Sequence, residues 1–214
     1  MRSSPNALFH ASWHHAWTGL QLGTTSPADG QAIRDQLLTR YEEGHRKYHT
    51  LQHLGECLAL LQEVESLAVH PAEVAMALWF HDAIYDIPGK ANEERSADWA
   101  FEALTAAGAE TSVAERVRQL VLVTKHDALP VGVDQQLLVD IDLAILGAEE
   151  QRFQEYEQQI RQEYSYVPGF LFKRKRREIL NTFLDRPVLF STSPLKGRLE
   201  ARARENLRVA IGAR

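Results

Sequence analysis

The sequence predicts an all-α fold, a helical bundle, and three observations carry that prediction. Apolar residues return at intervals of three and four along almost the whole chain, the period of a helix with one buried face. Helix-ending and helix-capping residues punctuate that pattern at "TSPADG", "HP", "IPGK", "AAGAE", "DALPVG", "VPG" and "STSPLKG". No segment alternates at two as a half-buried strand would.

The expected helices span 6–20, 29–43, 47–66, 71–85, 92–107, 112–125, 133–147, 149–164, 170–185 and 195–210. "TSPADG" separates the first from the second, "HP" the third from the fourth, and "IPGK" the fourth from the fifth. "AAGAE" and "DALPVG" bound the sixth, while "VPG" and "STSPLKG" bound the ninth. Two starts carry their own signals. Asp134 precedes "QQLLVDIDLAILG", and Thr111 or Ser112 precedes "VAERVRQLVLV", with Glu115 placed to close a capping box from Ser112.

A chain of 214 residues can bury one sizeable core, and no break in composition divides it, so a single domain over 1–214 is expected. Hydrophobic residues at 44% and charged residues at 25% exclude a disordered chain. No apolar run approaches the ~20 residues of a membrane span, and no secretory signal opens the sequence, so a cytoplasmic protein with no membrane partner is expected. The one cysteine, Cys57, cannot form an internal disulfide and sits among leucines as a small buried hydrophobe.

The net charge of −5 hides an asymmetry. Residues 1–170 hold 12 Lys/Arg against 25 Asp/Glu, and the helical segment 171–214 holds 12 against 4. "FKRKRRE", residues 172–178, is its densest part. A solvated helix face is preferred there over a nucleic-acid surface, because no aromatic stacking platform is interleaved with the charges.

There is no internal repeat, glycine-rich phosphate loop or GxSxG elbow. Chemistry concentrates instead in three stretches. In "YHTLQHLGECL", residues 48–58, His49 and His53 lie four apart and would share one helix face that runs on through Cys57 and Leu60. In "ALWFHDAIYD", residues 77–86, His81 and Asp82 fall in a stripe with Val74, Leu78 and Trp79. A carboxylate buried there needs a cation or strong hydrogen bonds. Between Lys47 and Lys90 the chain offers neither Lys nor Arg, and a metal would satisfy both the aspartate and the imidazole.

In "LLVDIDLAILG", residues 137–147, Asp142 lies on the apolar stripe, and Asp140 is rotated from it by about 200° on an ideal helix. Asp142 is the better ligand; Asp140 is left to hold a backbone or cationic group, or to sit on a polar face. Two histidines with two aspartates form a mixed nitrogen and oxygen set suited to a divalent manganese, iron, cobalt, nickel, magnesium or zinc ion.

The order His53, His81-Asp82, Asp142, spaced by 28 and 60 residues, resembles the HD-domain superfamily of metal-dependent phosphohydrolases. "YHTLQH", "WFHDAIYD" followed by "NEERSA", and "FLDRPVLFSTSPLKGRLEARARENL" resemble a bacterial group of small HD proteins of about this length. The resemblance implies an HD-type bundle, with His53, His81, Asp82 and Asp142 as metal ligands and Asp82 also moving protons. It implies hydrolysis of a phosphate ester of a small molecule, a nucleotide being the leading class. His49 would orient His53 or meet the substrate. Arg46, Lys125 and His126 are candidate phosphate binders; for Lys125 and His126 a place at a helix C-terminus, where its dipole favours cations, explains them equally well. Asp86 and Glu93 would close a second metal site or cap the next helix, capping being preferred. The competing class is a catalytically inactive HD-like module that binds a nucleotide or a protein.

Overall fold

The computed structural model describes residues 5–22 and 27–212, and all regular structure among them is helical. The helices are α1 (Pro5–Gly19), α2 (Pro27–Tyr41), α3 (Leu51–Val64), α4 (Pro71–Phe80), α5 (Asn92–Ala106), α6 (Thr111–Leu122), α7 (Val133–Asp142), α8 (Glu150–Glu163), α9 (Gly169–Leu184) and α10 (Ser193–Ile211). Short 3-10 turns extend α3 over Glu65–Leu67, α6 over Val123–Lys125 and α7 over Leu143–Gly147. The expected all-α fold is present, and each expected helix has its counterpart. Residues 25 and 26 of the "TSPADG" break, and residues 213 and 214 of the basic segment, lie outside the described residues. No helix is long and apolar enough to cross a membrane among the described residues.

The chain forms two compact units, residues 1–139 and 140–214, with the boundary inside α7. The first unit is organised around α4, which packs against α1, α3, α5 and α6. Every residue from Ala72 to Phe80 is buried, and the one charged group among them, Glu73, is paired with Arg116 at 2.7 and 2.8 Å. Trp79 anchors it: its ring meets Phe9 at 5.8 Å and Trp13 edge-on at 5.1 Å, and its Nε1–H donates to Ser12 Oγ at 3.2 Å. His14 and His15 are exposed on α1, and His15 meets Glu65.

Two expected caps are corrected. Asp134 does not cap α7, which begins one residue earlier; its carboxylate accepts from the Val69 and His70 N–H groups at 2.7 and 3.1 Å and meets His70 Nδ1 at 2.9 Å. A long-range anchor of three contacts outcompetes a local cap. The Ser112–Glu115 box is likewise not formed: α6 starts at Thr111, and Glu115 accepts from Gln119 at 2.7 Å.

In the second unit α10 packs against the 3-10 turn 143–147 and against α9. Gly147 is required by that packing, because a Cβ there would stand 2.7 Å from Leu199 Cβ and 2.9 Å from Leu199 O. Arg202 Nε and Asn206 Nδ2 then donate to the carbonyls of Gly147, Leu146 and Ala148 at 2.8 to 2.9 Å, closing the end of the turn. On α9, Lys173, Arg174, Lys175 and Arg177 are exposed. Tyr166 and Phe170 are also exposed, immediately before the cationic run.

Candidate metal centre

The site is built where the end of α4 meets the start of α3, within the first unit. α3 does not begin at residue 47 as its periodicity suggested. Thr50 has extended backbone and its hydroxyl accepts from Gln52 N–H at 3.3 Å, so the helix starts at Leu51. His53 is therefore helical and buried, whereas His49 lies in the preceding turn and the two do not share a helix face. His49 still reaches the same place, its ring stacked on Tyr85 at 4.1 Å and 6.1 Å from the His53 ring.

α4 likewise ends before the His-Asp pair. The expected helix over 71–85 stops at Phe80, and residues 81–83 form a turn closed by Ala83 N–H donating to Phe80 O at 2.9 Å. Side chains from before α3 take the backbone groups that a continuing helix would have satisfied. The buried Tyr41 hydroxyl donates to Trp79 O at 3.2 Å and accepts from Asp82 N–H at 3.3 Å. Arg46 donates to the carbonyls of Asp82, Ala83 and His49 at 2.6, 3.1 and 3.3 Å, and to Glu43 Oε2 at 3.1 Å. Beyond the turn, Ser96 Oγ accepts from Ile84 N–H at 3.0 Å. Tertiary hydrogen bonds thus outcompete one more helical turn, and Asp82 leaves the helical stripe.

That turn aims two side chains at His53. The Nε2 atoms of His53 and His81 are 3.0 Å apart. Asp82 Oδ2 stands 3.0 Å from His81 Nε2 and 3.6 Å from His53 Nε2. Ligands about 2.1 Å from one ion lie about 3.0 Å apart at a right angle and about 3.4 Å apart in a tetrahedron, so the triangle fits a single ion.

The ring tautomers agree with that use. His81 Nδ1–H donates to Leu78 O at 2.7 Å, which leaves the Nε2 lone pair facing inward. Tyr48 OH lies 3.0 Å from His53 Nδ1 and can accept its N–H, presenting His53 Nε2 in the same way. Two lone pairs at that separation require a proton or a cation between them. Burial raises the pKa of Asp82; when a proton and not a metal ion occupies the site, the positive charges of His81, His49 and His53 and the His81 hydrogen bond outweigh this and hold the carboxyl well below its ordinary range. The carboxylate is still 18% exposed, so solvent reaches this edge of the site.

His53, Cys57 and His81 are buried, and each offers a donor atom within 4.8 Å of the others, a group that could hold a metal ion. Cys57 was read from the sequence only as a small hydrophobe; the signal it carried was its place four residues after His53 on the same helical face. Asp142 is half-buried at the last residue of α7 and belongs to the second unit. Asp140 is fully buried, not on a polar face: its carboxylate accepts from the N–H groups of Ser191 and Thr192 at 2.8 and 2.7 Å and from the Thr192 hydroxyl at 2.6 Å.

Of the three candidate phosphate binders, Arg46 is turned into the protein, and Lys125 and His126 stand at a helix end, one of the two places expected for them. Arg46 is 3% exposed and already committed to the backbone of the His-Asp turn, so its fork is not offered to a phosphate. Lys125 pairs with Glu94 at 2.6 Å and with Asp127 at 3.6 Å. His126 closes the 3-10 turn in the left-handed region, φ 57°, the helix-end position of the alternative reading. Asp86 pairs with Arg95, and Glu93 stands in the first turn of α5. Burial and the charge of Asp82 raise the Glu93 pKa.

Compared with family models, curated proteins and solved structures, the chain finds no match.

Proposed function

We propose that this protein is a metal-dependent phosphohydrolase acting on a small phosphorylated molecule, with a nucleotide as the leading substrate class. One observation carries the proposal: His53 Nε2, His81 Nε2 and Asp82 Oδ2 form a triangle of 3.0, 3.0 and 3.6 Å at an edge that solvent reaches. The order of His53, His81-Asp82 and Asp142, and its resemblance to HD-domain phosphohydrolases, support the same reading. His53, His81 and Asp82 are the proposed ligands within the first unit. A divalent ion held there supplies a water of lowered pKa and neutralises phosphate charge. The resemblance to HD-domain phosphohydrolases gives Asp82 a second role, moving a proton at the carboxylate edge that solvent reaches. His49, stacked on Tyr85 beside the ligands, meets the substrate at that edge.

The alternative is an HD-like module that binds a nucleotide or protein without catalysis. A panel of phosphate monoesters, diesters and nucleoside triphosphates, assayed with manganese, iron, cobalt, nickel, magnesium and zinc, separates the two. Turnover that Asp82→Ala abolishes supports the hydrolase; saturable nucleotide binding without phosphate release under every metal supports the module.

A further inference from the structure

We infer that the outer side of α9 binds single-stranded RNA, its cations meeting phosphates and exposed rings at its head stacking on unpaired bases. The inference is independent of the metal centre and concerns the unit of residues 140–214 alone.

The run "KRKRR", residues 173–177, does not form one patch. Arg176 is turned inward, where its guanidinium pairs with Glu157 at 2.5 Å and covers the Tyr156 ring at 5.0 Å. Arg202 and Arg204 on α10 are likewise engaged, by Glu149, Glu200 and backbone carbonyls. What faces outward on α9 is Phe170, 74% exposed, with Lys173, Arg174 and Arg177. On an ideal helix Phe170, Arg174 and Arg177 fall within about 60° of one another, and Lys173 lies about 40° further round. Glu178 is 4.0 Å from Arg174 and 3.2 Å from Lys175, and all three side chains are more than half exposed. Such pairs are weak enough for a phosphate to exchange with them.

Tyr166, 61% exposed, precedes the helix. Its ring lies along Tyr164 at 6.3 Å, and Tyr164 stands 6.3 Å from Phe172, which the Arg161 guanidinium covers at 4.9 Å. The ring is thus held in place before a base arrives. The sequence reading prefers a solvated face for want of rings among the charges; in the fold two exposed rings stand at their head. Cations beside exposed rings suit a single strand, because phosphates take the charge and every base has a π face. A duplex hides those faces, whereas RNA presents unpaired bases in loops and single strands. An anionic membrane would require an apolar stripe along the outer side. Here cations follow the rings, and Leu180 is buried against the protein.

The full-length protein titrated into fluorescein-labelled oligouridine of about 15 nucleotides, read by anisotropy, tests the inference. Affinity should fall ~20-fold between about 50 and about 200 mM salt, the result of a slope of about 0.7 per phosphate for three cations. Arg174→Ala with Arg177→Ala should weaken binding at least ~10-fold and lower that slope by about 1.4. Phe170→Ala should weaken it at least ~5-fold with the slope unchanged. These side chains are exposed, so helical circular dichroism should be retained in both variants. No binding at the lower salt, or wild-type affinity in both variants, overturns the inference. Duplex DNA bound as tightly as oligouridine, with Phe170→Ala without effect, reduces the face to a charged surface and overturns the RNA site. Binding to phosphatidylserine vesicles and not to oligouridine overturns it in favour of a membrane.

Discussion

The Nε2 atoms of His53 and His81 face each other at 3.0 Å, although the two residues stand 28 apart in the chain and come from different elements. Leu78 O fixes the proton of His81 on the far nitrogen, and Tyr48 OH is placed to do the same for His53. The pair is thereby arranged as two donors toward one point.

Tyr48 gives the first prediction. A hydrogen bond to the far nitrogen of a ligating imidazole holds its ring and tautomer. Tyr48→Phe should weaken metal binding ~10–100-fold with little change in helicity, measured by competition against a chromophoric chelator. An affinity within twofold of wild type would remove Tyr48 from the site's support.

Arg46 gives the second. Its guanidinium satisfies three carbonyls at the ends of two helices and pairs with Glu43 while lying 3% exposed. Arg46→Ala leaves those acceptors buried and should cost at least ~3 kcal/mol in denaturant unfolding. Arg46→Lys should recover only part of it, since one ammonium cannot span the Asp82 and Ala83 carbonyls as the fork does. A loss below ~1 kcal/mol would contradict this account of the turn.

Asp140 gives the third. Asp140→Ala strands the Ser191 and Thr192 N–H groups before α10 and should cost ~2–3 kcal/mol in denaturant unfolding. A loss below ~1 kcal/mol would contradict its role as the anchor of that backbone.

Acid stability follows from Glu43. Burial raises its pKa; the hydrogen bonds and charges of Arg40 and Arg46 outweigh this and hold it below the ordinary value of 4.5. A lowered carboxyl stabilises the folded state above the unfolded value, and the contribution is lost as pH falls through the folded value. The metal-free protein should therefore lose stability below about pH 4.5, and Glu43→Gln should flatten that limb while leaving the neutral-to-alkaline limb unchanged. Parallel unfolding curves for the two proteins across the acid range would contradict the pairing.

The helices were legible in the sequence because each must bury one face, and burial leaves a period of three to four in the residues. The candidate metal centre was legible in part: His53 and His81 do converge, and the sequence offered no Lys or Arg between Lys47 and Lys90 to partner Asp82. The ends of helices were not. α3 starts at Leu51 because Thr50 caps it, and α4 stops at Phe80 because Tyr41 and Arg46 claim backbone groups as many as 41 residues away, a competition that no local pattern encodes. The same holds for Asp134, drawn from capping α7 to the backbone of Val69 and His70. Arg46 shows the converse error. An arginine beside a histidine pair suits a phosphate, and only its burial reveals that it is structural.

The most direct measurement is elemental analysis of protein purified without chelator or affinity-metal column, alongside His81→Ala and Asp82→Ala. The account predicts close to one transition-metal ion per chain in the wild-type protein and its loss from both variants, with helical circular dichroism retained. Full metal content in both variants, or no metal in the wild-type protein even after reconstitution with each of the six candidate ions, would contradict it.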